Sequence, residues 1–278
     1  MRPAVSLIVM LLTLMISSEV LAQTRKTYTL AVVPQVPPVE IYRRWSPFVE
    51  LLSKELGCDV KLVTYASIQQ FEVGLLAGKP DFAYMNPYHM VMAKKKQGYL
   101  PLVKNKSGVY GIIVVDTRSS GIDSIQDLNE KEIAFPAPNA FYASLYMRTL
   151  LTEMEKVRMT PRYMKTHANV YRNVVQGTVL AGGGASNTLA AEPQTLREHL
   201  KIIYRTPTLT SYPIGSHPRI PQSVRDKFTK LFVILSKCSI NKEIFANILM
   251  PDPVKADYSR DFFPLEKLGV EKYRVDGE

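Results

Sequence analysis

The chain alternates between short β-branched runs and longer stretches of helical period. Tyr28 to Val33 is an apolar run stopped by Pro34, Pro37 and Pro38, and it predicts a strand. Ile41, Trp45, Phe48, Leu52 and Leu56 then recur at steps of three and four, with Arg43, Arg44, Glu50 and Lys54 between them. A stripe of that period is an amphipathic helix, and Gly57 ends it. Val60 to Tyr65 predicts a second strand, Ile68 to Leu76 a second helix closed by Gly78, and Asp81 to Met85 a third strand. Pro87 suits the first turn of the helix that follows. Ile112 to Val115 reads as a buried strand from its β-branched content. Repeated βα units of this length predict a largely parallel sheet with helices on both faces.

A second series of units begins after Asp116. Ser124 to Asp127 has capping-box spacing, with Asp in place of the usual Glu or Gln. Strands are expected at Glu132 to Phe135, Arg162 to Lys165, Thr178 to Ala181 and Lys201 to Arg205. Helices are expected at Tyr142 to Val157 and around Val224, Phe228, Leu231 and Leu235. The chain has no internal repeat and no low-complexity linker, so two α/β lobes are expected rather than separate beads.

The residues ahead of the first strand follow a different grammar. Arg2 is followed by an almost wholly apolar run from Ala4 to Ile16, then by Ser17, Ser18 and Glu19, and Val20-Leu21-Ala22 offers small residues at a cleavage spacing. This is the pattern of a secretory signal peptide spanning residues 1–22, cut after Ala22. The run is too short for a membrane span, and no later run is long enough. No Cys lies near the cut, which argues against a lipid anchor. The mature protein is therefore expected to be soluble and exported to the periplasm.

The full chain of 278 residues is 46% hydrophobic and 22% charged, a balance that excludes disorder and suits two domains. Lys and Arg outnumber Asp and Glu by 35 to 25, a net charge of +10 that suits an anionic partner. Export argues against nucleic acid as that partner, and the Lys94-Lys95-Lys96 run reads as a solvated helix end. Cys58 and Cys238 would lie in an oxidising compartment, where one bridge between them is permitted. They match neither a zinc site nor a Cys-x-x-Cys motif. Because a bridge requires a short Cα separation that spacing alone does not supply, it stays open.

Catalytic signatures are absent. There is no phosphate-binding Gly-x-x-x-x-Gly-Lys-Ser/Thr loop, no dinucleotide fingerprint and no Gly-x-Ser-x-Gly elbow. His89, His167, His199 and His217 stand apart and form no metal-binding pattern. No cofactor, metal or catalytic residue is expected. Two segments at strand ends stand out instead: Tyr84 to His89, and Asn139 to Ser144. Each falls where a strand becomes a helix, and two helix starts facing each other would clamp an anion through their free N–H groups. Asn86 and Asn139 as simple caps, with packed tyrosines, is the alternative. Gly182-Gly183-Gly184 reads either as a close approach of backbone to ligand or as a flexible turn.

These segments, in order, carry a resemblance. Thr29 to Pro34, the Trp45 to Phe48 helix, Leu75 to Tyr84, Gly111 to Val115, Ser124 to Leu128 and the helix opening near Asn139 resemble the phosphate, phosphite and phosphonate-binding periplasmic proteins of ABC transporters, the PhnD-like family. The resemblance runs over roughly Tyr28 to Lys237. It implies an α/β, two-lobed type II periplasmic binding protein fold, with mixed sheets flanked by helices and two hinge crossovers. These are expected near Asp116 to Arg118 and Tyr204 to Pro207. Lobe 1 would then comprise residues 23–116 and return over 206–278 with C-terminal helices, and lobe 2 would comprise 117–205. Cys58 and Cys238 would share a lobe.

The chain departs from the family at the ligand. A Ser-Thr-Ser-like run common at the second-lobe helix start is here Ala140 to Ala143, with Ser144 behind it. Carboxylates that meet a ligand ammonium in aminoalkylphosphonate binders are replaced by Ser186 and Tyr212. The Gly-Pro-x-x-Tyr pattern of the first-lobe helix is here Asn86-Pro87-Tyr88-His89-Met90, with the Tyr shifted. His167 falls near a family position that contacts ligand. The expected contacts are Tyr65, Asn86, Tyr88, Asn139, Tyr142, Ser144 and His167, each able to donate a hydrogen bond. The expected function is a monomeric solute receptor that captures a small anionic, phosphonate- or phosphate-like ligand and delivers it to an ABC transporter permease. The alternatives are a ligand sensor acting through a separate membrane kinase, and an exported hydrolase using His167.

Overall fold

The computed structural model describes residues 25–275. The expected signal segment, residues 1–22, lies outside the described residues. β1 (Thr27–Val32), α1 (Pro38–Leu56), β2 (Asp59–Val63), α2 (Ile68–Leu76), β3 (Phe82–Tyr84) and α3 (Pro87–Gln97) alternate as the periodicity predicts. The five apolar residues of the α1 stripe are all buried, and Gly57 ends the helix in the left-handed region at φ 74°. β1 lies between β2 and β3 and runs parallel to both. β4 (Leu100–Asn105), β10 (Pro213–Ser216) and β11 (Pro253–Lys255) complete this sheet in the order β11-β4-β10-β3-β1-β2.

The second sheet has the order β7-β6-β8-β5-β9. Its strands are β5 (Gly111–Asp116), β6 (Lys131–Phe135), β7 (Met159–Tyr163), β8 (Ala181–Ala185) and β9 (Leu200–Arg205). α4 (Tyr146–Glu153) and α5 (His167–Val175) flank it, and the short helices α6 (Ser186–Ala190) and α7 (Gln194–Arg197) follow β8. The Ser124 to Asp127 capping box forms as its spacing predicts. Two α/β lobes result, each with a mixed sheet. Pairing is parallel among β2, β1 and β3 and among β7, β6 and β8. It is antiparallel where β5 and β10 carry the chain between lobes. The largely parallel expectation fails at those strands because a chain that crosses and returns must reverse its direction.

One crossover sits elsewhere than expected, and the other overlaps its expected place at residues 206–207. β5 pairs with β8 and β9, so the first crossover covers residues 106–110 rather than Asp116 to Arg118. The second covers residues 206–212, and the two pair with each other at Val109 and Leu209. β5 reads as an unbroken apolar run because helices cover both of its faces. Ile113 and Val115 join Phe135, Met147 and Leu151, while Ile112 and Val114 join Val170, Tyr171 and Val174. In the first lobe, α8 (Gln222–Ser236) and α9 (Lys242–Asn247) pack on α1 through aromatic rings. Phe48 lies 4.8 Å from Phe232 between ring centroids, and Phe82 stacks 4.7 Å from Phe228.

Both cysteines are free. Cys58 is buried beside Ser223, Val224 and Lys227 in the first turns of α8, whereas Cys238 is exposed beyond its last turn. The eleven residue steps from Lys227 to Cys238 span about 16 Å at the helical rise, well outside disulfide reach. The Lys94 to Lys96 run occupies the last turn of α3, where cations oppose the helix dipole, and Lys95 bonds Glu266 at 2.8 Å.

Gly182-Gly183-Gly184 forms neither a turn nor a ligand approach but the centre of β8. A Cβ at Gly183 would overlap the Ala143 carbonyl and the Phe135 ring, and one at Gly184 would overlap the Tyr171 ring. The run lets two helices press directly on the strand, which sets the height of the segment that opens toward the first lobe. Gly183→Ala is therefore expected to cost about 2–3 kcal/mol through overpacking, read as a lower urea midpoint with unchanged slope.

Candidate functional site

The carboxyl ends of β1, β3 and β8 point at the junction of the two lobes, the usual place for a ligand of an open α/β sheet. Two helix starts meet there, as the sequence suggests. Asn86 caps α3, its Oδ1 accepting from His89 N at 2.7 Å, and its Nδ2 donates across the junction to the Asn139 carbonyl at 3.2 Å. Asn139 precedes a π-helical turn, Phe141–Leu145, that leads into α4. The wide turn presses the Phe141 ring between Tyr88 and Tyr146, stacked at 6.0 and 5.7 Å.

Between these helix starts lies a carboxyl group that the sequence reading missed. Glu72 of α2 is buried; its Oε1 lies 2.7 Å from His89 Nε2, and its Oε2 accepts from Asn139 Nδ2 at 2.8 Å. The signal was present in the periodicity. Glu72 shares the α2 stripe of Ile68, Phe71 and Leu75, a single acid on an apolar face. Asn139 also exchanges bonds with Val275, donating to its carbonyl at 2.7 Å and accepting from its N–H at 3.0 Å. The adjoining segment touches both lobes. Tyr88 OH donates to Glu271 at 3.0 Å, and Arg148 donates to the Tyr273 carbonyl at 2.8 Å.

The other expected contacts are placed as follows. Tyr142 is fully buried and its hydroxyl donates to the Thr210 carbonyl; burial pushes its phenol well up. Ser144 Oγ accepts from Arg148 Nε at 3.2 Å. Tyr65 packs edge-on against Phe71 and covers Gly74 of α2. The structure thus brings Asn86, Tyr88, Asn139 and Tyr142 to the junction and commits their polar groups to protein partners. His167 starts α5, its backbone N–H donates to the Gln35 carbonyl across the junction at 3.2 Å, and its Nδ1 lies 3.2 Å from Thr188 Oγ1.

Open volume lies to the hinge side. A cavity of about 560 Å³ is lined by Arg43 and Arg44 of α1, Tyr84, Tyr212, Ser186 and Asn187, with the crossover residues Ser107 to Val109 at its back. Tyr84 and Tyr212 stack at 5.6 Å to form an aromatic wall. Arg44 and Tyr84 separate this cavity from one of about 30 Å³ lined by Gln35, His167, Thr188 and Glu192. Gln35 Nε2 is buried there without a hydrogen-bond partner. Arg44 lies 3.6 Å from Glu40, and Arg43 binds Glu40 at 2.8 Å. Sequence reading placed both arginines on the polar side of α1 and assigned them no role. Among the described residues, no group of three or more His, Cys, Asp or Glu is arranged to hold a metal ion.

Burial pushes His167 down to about 3. The unfolded chain binds that proton below about pH 6.5, whereas the folded chain refuses it until near pH 3. Stability is therefore fully present above pH 6.5 and lost as pH falls, by up to about 1.4 kcal/mol per pH unit. His167→Gln is expected to flatten this dependence by one proton in urea titrations at pH 7, 6 and 5.

The geometry has counterparts among known proteins. A binding-protein component of an ABC phosphonate transporter from Pseudomonas aeruginosa superposes with a TM-score of 0.77 at 15% identity, covering 88% of this chain and 85% of its own. PhnD1 from Prochlorococcus marinus in complex with methylphosphonate superposes with a TM-score of 0.78 at 15% identity, covering 90% of this chain and 99% of its own. At these identities the likeness is one of fold, the type II periplasmic binding protein fold. The phosphate-import protein PhnD of Mycolicibacterium smegmatis is 24% identical over 174 residues, 59% of this chain and 51% of that protein. The chain thus spans about half the length of that curated relative. No helix among the described residues is long and apolar enough to cross a membrane. Residues 30–260 match the family described as ABC transporter, phosphonate, periplasmic substrate-binding protein, and the chain belongs to that family.

Proposed function

We propose that this protein is the solute-binding component of an ABC importer and closes its lobes on a small anionic, phosphonate- or phosphate-like solute. The observation that carries the reading is the cavity of about 560 Å³, which both lobes and the crossovers line and into which Arg43 and Arg44 bring positive charge. A guanidinium offers paired donors matched to a phosphoryl oxyanion, and the Tyr84–Tyr212 wall suits an organic substituent. The net charge of +10 would raise the encounter rate with an anion.

The importer reading also places the chain's parts. Export would remove residues 1–22. The lobes are assigned as 25–105 with 213–275, and 111–205, joined by the paired crossovers. Solute binding energy that differs between open and closed lobes would drive closure, and a membrane permease would recognise the closed monomer. His167, adjacent to the cavity, would position solute as a neutral hydrogen-bonding group; its neutrality and its bond to Thr188 favour binding over hydrolysis.

The reading is tested by calorimetric titration of the chain from Gln23 onward with phosphate, phosphite, methylphosphonate, aminoethylphosphonate and sulfate. One phosphorus oxyanion should bind selectively, and Arg44→Ala should weaken it by about 10-fold or more, the loss of one charge-assisted bond. Binding of none of these solutes, or equal affinity in the variant, would remove the arginine cavity as the oxyanion site.

A further inference from the structure

We infer that Glu72 is a built-in anion, a side chain that fills the clamp between the two helix starts and sets the solute specificity of the junction. A phosphoryl or carboxylate ligand held between facing helix starts would accept hydrogen bonds from both lobes. The Glu72 carboxyl does this already, meeting His89 of α3 at 2.7 Å and Asn139 of the second lobe at 2.8 Å. It is 97% buried on its exposure of 3%, and it extends from the apolar face of α2, where Ile68, Phe71 and Leu75 pack into the core. An acid in that position gains nothing from water, and a buried charge is tolerated only where donors satisfy it.

The surroundings leave no place for a second anion. Asn86 spends its oxygen on the α3 cap and its nitrogen on the Asn139 carbonyl. Asn139 spends its amide on Glu72 and Val275. Phe141 and Tyr142, both fully buried, occupy the volume beside them. An incoming phosphate would face a carboxyl group, with both amide donors of Asn139 committed and Asn86 Nδ2 turned to the Asn139 carbonyl. Glu72 therefore excludes free oxyanions from the clamp and, where the proposed function holds, sends the solute's oxyanion to the Arg43–Arg44 cavity. It also joins α2 to the second lobe, so closure at this edge does not require solute.

Truncation with chemical rescue tests the assignment. Glu72→Ala removes a CH2–COO⁻ fragment, for which acetate is the free equivalent. The variant should melt below the wild type, and acetate near ten times its dissociation constant should return about 3–5 °C. Sodium chloride of equal ionic strength should return nothing, and the wild type should not respond to acetate beyond its response to chloride. A variant that gains no more from acetate than from chloride would overturn the proposal. Glu72→Gln keeps the shape without the carboxylate. Small-angle scattering of the solute-free protein should give it a larger radius of gyration than the wild type, and equal radii would also overturn the proposal. Methylphosphonate titrated into the wild type reads the importer function separately. Failure there with acetate rescue intact would remove the phosphonate reading and leave Glu72 in its role; binding there without rescue would do the reverse.

Discussion

A primary amide has two donors and one carbonyl acceptor, and at Asn139 every one of them is committed. One side goes to Glu72 of the first lobe, and the other exchanges bonds with Val275. Two parts of the chain far apart in sequence thus converge on one side chain of four heavy atoms. Its orientation is set by the π turn that follows, and that turn is set by the glycines of β8, whose missing side chains let Ala143 rest on the strand. The relation of the two lobes at this edge depends on that chain of contacts.

The consequence is a junction with two unlike ends. At the helix starts, polar groups face polar groups of the protein itself in a low-dielectric setting, with His89 Nδ1 buried there without a hydrogen-bond partner. Near the hinge, arginines, serines and stacked tyrosines border open space. One end of the junction thus holds an acid, Glu72, and the other a pair of guanidinium groups.

Much of the architecture was legible in the periodicity. The α1 stripe, the Gly57 stop, the β5 run and the Ser124 capping box formed where local chemistry placed them, because each depends on neighbours within a few residues. What depended on distant partners was misread. Gly182 to Gly184 read either as a close approach to ligand or as a turn, since nothing local reveals that Phe135 and Tyr171 lie against the strand. β10 and β11 were invisible as short strands whose pairing comes from β3 and β4. Asn86 and Asn139 were found, but as ligand contacts; that they face each other follows from two helix starts, and that they are already occupied follows from Glu72. The cysteines were separable only once α8 was known to stand between them.

The two crossovers exchange reciprocal backbone bonds, Val109 N–H to the Leu209 carbonyl and Leu209 N–H to the Val109 carbonyl, each 3.0 Å. Two independent strings would let one lobe swing and swivel freely about the other. Strings laced side by side become a ribbon, which bends readily across its flat face and resists shear in its own plane. The relative motion of the lobes then collapses toward a single angular coordinate. A carboxyl at the far rim and a pair of guanidinium groups beside the ribbon would feel the same rotation through very different lever arms.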